Sequence, residues 1–163
     1  MRQKILNFLN KSKVKFEIVP HKTVFTAIDK ASTLKVKPES VIKTVVIKAN
    51  GNFLLTLIGA NRILDLEKVK KIISKFWEKE KVKKIELASE KAIKNKFKGV
   101  KEGNIPPFGN FWKMPVLIDN LIKKQKNLFV NSGDFNYSLK VSFSSLKKLS
   151  NHIIFGSFSK TKK

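Results

Sequence analysis

Two apolar, β-branched runs joined by Asn50-Gly51 constrain this chain more than any other stretch. The first is Val41-Ile42-Lys43-Thr44-Val45-Val46-Ile47 and the second runs from Phe53 to Ile58. Asn and Gly both tolerate the positive φ that a two-residue type I′ turn needs, and the twist of that turn matches the twist of paired strands. The two runs therefore read as an antiparallel hairpin. Neither alternates cleanly with polar residues, so both strands are expected to be covered on two faces and to lie at the centre of a sheet. Lys43 interrupts the first run. A long cationic side chain there either snorkels to solvent or enters a polar pocket, and the residues alone leave both readings open.

Helices and strands surround this hairpin. Ile5, Phe8 and Leu9 give residues 4–11 an amphipathic helix, and Phe16, Ile18 and Pro20 mark a strand over 15–20. Thr26 caps a helix running to about Leu34, with Asp29 in the capping-box position. Asp65 caps a helix whose apolar stripe is Leu66, Val69, Ile72, Ile73 and Phe76. Ser89 caps another over 90–98, which Gly99 ends. Further strands are expected over 83–87, 115–119, 128–131 and 137–143. A short helix should start at Ser144 or Ser145, followed by an edge strand over 153–155. The mixture predicts an α+β fold: a mixed, curved β-sheet or partial barrel surrounded by helices. The 163 residues suit one domain. We place it over 1–155, followed by a basic C-terminal tail, 156–163, that ends Lys160-Thr161-Lys162-Lys163.

The stretch from Gly99 to Gly109 holds three of the seven glycines and two of the five prolines. Gly permits positive φ and Pro removes a donor, so neither a helix interior nor a central strand fits. Ile105 and Phe108 predict a loop that packs at its base and shows backbone at its tip. Taken alone, such a loop also serves as a plain connector.

The net charge of +23 points to a polyanionic partner, of which nucleic acid is the commonest. Arginine occurs only at Arg2 and Arg62, which argues against bidentate readout of bases or phosphates. Abundant Lys and Asn also fit a compositional bias, in which case many lysines are simply solvated. Zero Cys and the lack of a leader pattern at the N-terminus favour the cytoplasm. No apolar run reaches membrane-spanning length. His21 and His152 stand far apart without ligand spacing, so no metal site is expected. Neither a nucleotide-binding fingerprint nor a nucleophile elbow is present.

Several pieces then fall in a telling order: His21 with Thr26-Ala27, Val41 to Ile47 around Lys43, and Asn61-Arg62-Ile63-Leu64-Asp65-Leu66-Glu67-Lys68-Val69. After these come Gly99 with Gly103-Asn104-Ile105-Pro106-Pro107-Phe108-Gly109, Pro115-Val116-Leu117-Ile118-Asp119, and Asn131-Ser132-Gly133. In this order, from about Phe16 to Leu149, the chain resembles the YbaK family. That family includes the editing insertion domain of bacterial prolyl-tRNA synthetase and its free-standing relatives. The resemblance implies an aminoacyl-tRNA deacylase that hydrolyses the ester of Cys- or Ala-charged tRNA for proline, without a cofactor or metal. It implies that Lys43 is the pocket lysine and that Gly103 and Pro107 form the Gly-x-x-x-Pro loop facing the ester, with Phe108 beside them. His21, Thr26, Thr44, Asp119 and Gly133 match substrate-binding positions. The implied partners are the acceptor end of a misacylated tRNA and, in some members, prolyl-tRNA synthetase. Neither a membrane nor DNA is implied.

The chemistry is consistent with that reading. An aminoacyl ester is already activated, so a positioned water and donors aimed at the tetrahedral oxyanion suffice. One departure stands out. Some relatives carry a His in the loop after the glycine matched by Gly133, where this chain has Asp134-Phe135-Asn136-Tyr137. That leans away from an Ala-specific, insertion-type site. The alternative reading is a module of the same fold that binds tRNA or a synthetase without hydrolysis.

Overall fold

The computed structural model describes residues 1–162. In chain order the elements are α1 (Arg2–Lys11), β1 (Glu17–Pro20), α2 (Ala27–Leu34), β2 (Ile42–Ala49), β3 (Asn52–Gly59), β4 (Arg62–Leu64), α3 (Leu66–Phe76) and β5 (Ile85–Leu87). They continue with α4 (Glu90–Lys96), α5 (Gly109–Trp112), β6 (Val116–Asp119), β7 (Asn127–Asn131), β8 (Tyr137–Ser142), α6 (Phe143–Lys148), β9 (Ile153–Gly156) and β10 (Ser159–Thr161).

The expected hairpin sits at the centre. Asn50 and Gly51 take φ of 50° and 83°, and β2 pairs with β3 antiparallel along its whole length, Ile42 opposite Gly59 through Ala49 opposite Asn52. β5 adds antiparallel to β2, while β6 adds parallel to β3 and β9 parallel to β6. The result is a mixed five-stranded sheet in the order β5-β2-β3-β6-β9. A second, antiparallel sheet has the order β1-β8-β7, and β4 pairs with β10. The bridge between Val41 and Phe129 ties the first sheet to the second.

Period-two alternation gives the central hairpin two apolar faces. Ile42, Val46, Leu55, Leu57, Val116 and Ile118 face a core built with Ile5 and Leu9 of α1, Ile93 of α4 and the β7–β8 pair. Ile47, Leu54, Ile58 and Leu117 face the other way, onto Val69 and Ile73 of α3 and onto Phe158. The predicted N-caps of α2, α3 and α4 are in place, while α4 ends at Lys96, before the expected stop at Gly99. Thr26 Oγ1 accepts from Asp29 N at 3.1 Å, Asp65 Oδ1 from Glu67 N at 3.1 Å, and Ser89 Oγ from Ala92 N at 3.1 Å.

Two expectations need correction. The last helix is capped by Ser142, whose Oγ accepts from Ser145 N at 3.0 Å, so α6 starts at Phe143 rather than at Ser144 or Ser145. The segment read as a tail is part of the fold. Phe158 is fully buried in the second core, and Ser159, Lys160 and Thr161 pair with Leu64, Ile63 and Arg62. Arg62 secures the strand by donating from Nε to Ser159 Oγ at 3.0 Å and from Nη2 to Ser159 O at 2.9 Å. A three-residue edge strand of Ser, Lys and Thr carries no periodic signal, so its polarity alone suggested a tail. Of that segment, Lys163 lies outside the described residues. Among the described residues no helix is long and apolar enough to cross a membrane.

Candidate functional site

β5 covers β2 only from Ile47 onward. Beside the first half of β2 a cavity of about 320 Å³ opens, walled by Lys43 and Thr44, by Thr26 and Ala27 at the start of α2, and by Glu102 and Gly103 at the loop tip. Val46, Ala88, Ile93 and Ile105 supply apolar wall, and Asn131 closes one side. Four of the predicted residues thus converge on one cavity: Thr26, Lys43, Thr44 and Gly103.

The loop from Gly99 to Gly109 is built as its composition predicts. Ile105 and Phe108 are buried at 1% and 0% exposure, whereas Lys101, Glu102 and Gly103 are exposed. Trp112 Nε1 donates to Pro106 O at 2.9 Å. Gly109 N donates to Ser150 Oγ at 2.8 Å, and a Cβ at Gly109 would lie 2.7 Å from Met114 O, Ser150 Oγ and Val116 Cγ2 alike. The base is therefore clamped. At the tip Gly103 has φ of +89°, and a Cβ there would find only Phe25 O, at 3.7 Å. Backbone conformation, not crowding, makes this position a glycine.

Lys43 and Thr44 contribute differently. Thr44 shares its face with Ile42 and Val46. Its Oγ1 is buried without a hydrogen-bond partner in a residue of 8% exposure. Among the described residues Lys43 is the one cation lining the cavity, but its Nζ donates to the backbone carbonyl of Arg62. Burial lowers its pKa, and the charge of Lys162 adds to that. Facing an ester would require the ammonium to exchange the Arg62 carbonyl for the substrate.

The sequence reading missed a second lysine. Lys30 is only 6% exposed, and burial pushes its pKa down from 10.5 to about 8. Its Nζ donates to Asn131 Oδ1 at 2.9 Å, and Asn131 Nδ2 donates to Ile105 O at 3.1 Å. A lysine can only donate and a carbonyl can only accept, so this chain fixes the Asn131 amide in one orientation. It also ties α2 to the loop behind Gly103. The signal was available: Ala27, Lys30, Ala31 and Leu34 have the i, i+3, i+4, i+7 spacing of a buried stripe, and Lys30 occupies an apolar slot in it.

The remaining predicted residues do not line this cavity. Phe108 is wholly buried and stacks on Phe8 with ring centroids 5.9 Å apart, so it is core. Pro107 is buried beside it. Asp119 Oδ1 accepts from Leu121 N at 2.9 Å and Oδ2 from Phe158 N at 3.3 Å, which caps a 3₁₀ turn and holds the strand that follows Phe158. Gly133 has φ of +93°, and a Cβ there would lie 3.0 Å from Ile5 Cδ1, against α1. His21 Nε2 is bonded to Ser138 Oγ at 2.9 Å, and its Nδ1 lies 2.8 Å from Lys22 O.

Comparison with known proteins agrees with this architecture. Over 129 residues the chain is 28% identical to the proline–tRNA ligases of Thermoanaerobacter sp. (strain X514) and Thermoanaerobacter pseudethanolicus (strain ATCC 33223 / 39E). The match covers 76% of this chain and 22% of each ligase, so the chain spans about a fifth of their length. A crystal structure of a candidate trans-editing enzyme for prolyl tRNA synthetase superposes with a TM-score of 0.79 at 16% identity, over 98% of this chain and 96% of that one. This shows a shared fold. The model of the aminoacyl-tRNA editing domain matches residues 21–149, which takes in β2, the loop and the cavity between them. The chain belongs to the aminoacyl-tRNA editing domain family.

Proposed function

We propose that this protein hydrolyses the ester of misacylated tRNA, of the Cys- or Ala-charged tRNA for proline class, as a cytoplasmic trans-editing deacylase. The observation that carries the reading is the meeting of the exposed glycine tip at Gly103 with Lys43 and Thr44 in one small cavity. A cavity of about 320 Å³ has room for an aminoacyl group. Its apolar wall excludes bulk water while the glycine tip leaves backbone accessible. Backbone N–H groups of the tip serve as donors to the oxyanion, and the unpartnered Thr44 hydroxyl orients the substrate or the attacking water. The Lys43 ammonium then supplies charge once it leaves the Arg62 carbonyl. The acceptor arm is held by lysines. Among the described residues the single ion pair is Lys84–Glu86, at 3.4 Å, so most of the positive charge is left to meet phosphate.

Single-turnover hydrolysis of mischarged tRNA by wild type and by Lys43→Ala tests the assignment. Loss of one charge-stabilising donor lowers the rate by about 10²–10³. Equal rates would remove Lys43 from the chemistry. A second reading, a non-catalytic module that binds tRNA or a synthetase, draws on the same Lys43–Arg62 bond, which points the ammonium away from the ester. It predicts tRNA binding with no hydrolysis by either protein.

A further inference from the structure

The loop from Gly99 to Gly109 is tied to the rest of the fold mainly at its base, where Ser150 holds Gly109 N and Trp112 holds Pro106 O. Among the described residues, the tie nearest the tip from outside the loop is Asn131 Nδ2, which donates to Ile105 O two positions after Gly103. The tip's own bonding is local: Asn104 N donates to Lys101 O at 3.0 Å, and the buried Asn104 amide has no hydrogen-bond partner. Asn131 is held in turn from its other side, by Lys30 Nζ on Oδ1. Asn131 ends β7 and is 4% exposed. Lys30 lies one turn along α2 from Thr26 and Ala27. A polar chain thus runs from α2 through the end of β7 to the loop, and the two elements it joins both wall the cavity.

We propose that Lys30 is a positioning residue: through Asn131 it fixes the Gly103 tip relative to the start of α2, and so sets the geometry in which substrate meets the tip. The proposal rests on the ester reading for the reaction it serves. Stability is not what Lys30 supplies. Ala27, Ala31 and Leu34 share its stripe, and a buried amine with one neutral partner costs stability that a methionine there would not. What an apolar residue cannot do is donate. With Lys30 in place, Asn131 Oδ1 turns to the amine and Nδ2 is left for Ile105 O. With methionine in place, Oδ1 is buried without a partner, and the amide rotates to find one. That releases Ile105 O and loosens the tip two residues away. Lys30 stands outside the lining of the cavity, so its effect on a substrate passes through Asn131. A misplacement of about 1 Å in a group that positions substrate costs about 10²-fold in rate.

The test compares the full chain with Lys30→Met and Asn131→Asp at pH 7. The aspartate keeps an acceptor for Lys30 but has no donor for Ile105 O, so it breaks the chain at its other link. Hydrogen exchange read by mass spectrometry, in peptides covering 99–105, reports the tip without any hydrolysis. Both variants should exchange about 5-fold faster there, the worth of one lost hydrogen bond, with β2 and β3 unchanged. Circular dichroism melts should place Lys30→Met at or above the wild-type Tm, because a buried charge is gone. With cysteinyl- or alanyl-tRNA for proline, kcat should fall about 10- to 10²-fold in both variants. The KM, set by phosphate contacts elsewhere, should hold. A merely structural role predicts a different pairing, a lowered Tm together with lowered turnover, and that result in Lys30→Met overturns the proposal. So does unchanged exchange over 99–105 in Lys30→Met, or wild-type turnover by that variant. Wild-type exchange in Asn131→Asp overturns the route through Ile105. If wild type hydrolyses neither tRNA, the ester reading fails alone, and exchange still decides whether Lys30 holds the tip.

Discussion

Lys30 is the residue whose chemistry departs furthest from its ordinary state. Its amine is buried with one neutral partner, and its pKa falls from 10.5 to about 8. At ~1.4 kcal/mol per pH unit, that shift corresponds to about 3 kcal/mol of folding free energy. The sign follows from proton counting. Below pH 8 folded and unfolded chains both hold the proton, and the native state carries the full cost of burying the charge. Between pH 8 and 10.5 the unfolded chain binds more protons, so stability rises with pH. Urea unfolding should show wild type gaining on the order of 3 kcal/mol across that window. Lys30→Met should lack most of that rise, retaining the smaller part that Lys43 contributes in the same direction. Parallel curves for the two proteins would contradict this account. Gly103 makes a second prediction at this scale. With φ of +89°, Gly103→Val strains the backbone by about 1–3 kcal/mol. Turnover of mischarged tRNA should fall at least about 10²-fold as the tip moves. Normal turnover by that variant would return the loop to the status of a connector.

At the scale of elements, the central hairpin, α3 and the caps were legible because each is specified locally. A two-residue turn, an apolar stripe and a Ser, Thr or Asp three residues before a backbone donor all lie within a few positions of one another. The β4–β10 pair was not legible, because two strands of three residues joined by Arg62 hydrogen bonds owe their existence to partners nearly a hundred positions away. The site was legible in part. Lys43, Thr44, Thr26 and Gly103 reach one cavity. Phe108, Pro107, Asp119 and Gly133 instead fill or brace the scaffold around it, a distinction that depends on which way each side chain points. The direction of the Lys43 ammonium was likewise set by a distant carbonyl, not by its neighbours in β2. Two substitutions test the scaffold. Gly109→Ala places a methyl group 2.7 Å from three atoms and should destabilise the protein by about 1–3 kcal/mol, seen as a lowered Tm. Ile73→Ala empties a fully buried position on α3 and should cost about 2–5 kcal/mol, with the cavity beside β2 left intact.

For the whole molecule, the excess of 23 positive charges is the dominant property. If those lysines hold the acceptor arm, tRNA affinity should fall at least about 10-fold between roughly 50 and 200 mM salt, linearly in log–log form. A flat response would mean that the lysines reflect composition and not contact. The candidate site joins an apolar-walled cavity to an exposed glycine tip. The most direct measurement is release of free amino acid from a panel of mischarged tRNAs by the wild-type protein. The account predicts rapid hydrolysis of at least one small-side-chain ester on tRNA for proline, with correctly charged prolyl-tRNA spared. Folded protein that binds these tRNAs but releases no amino acid above the uncatalysed rate from any of them would contradict it.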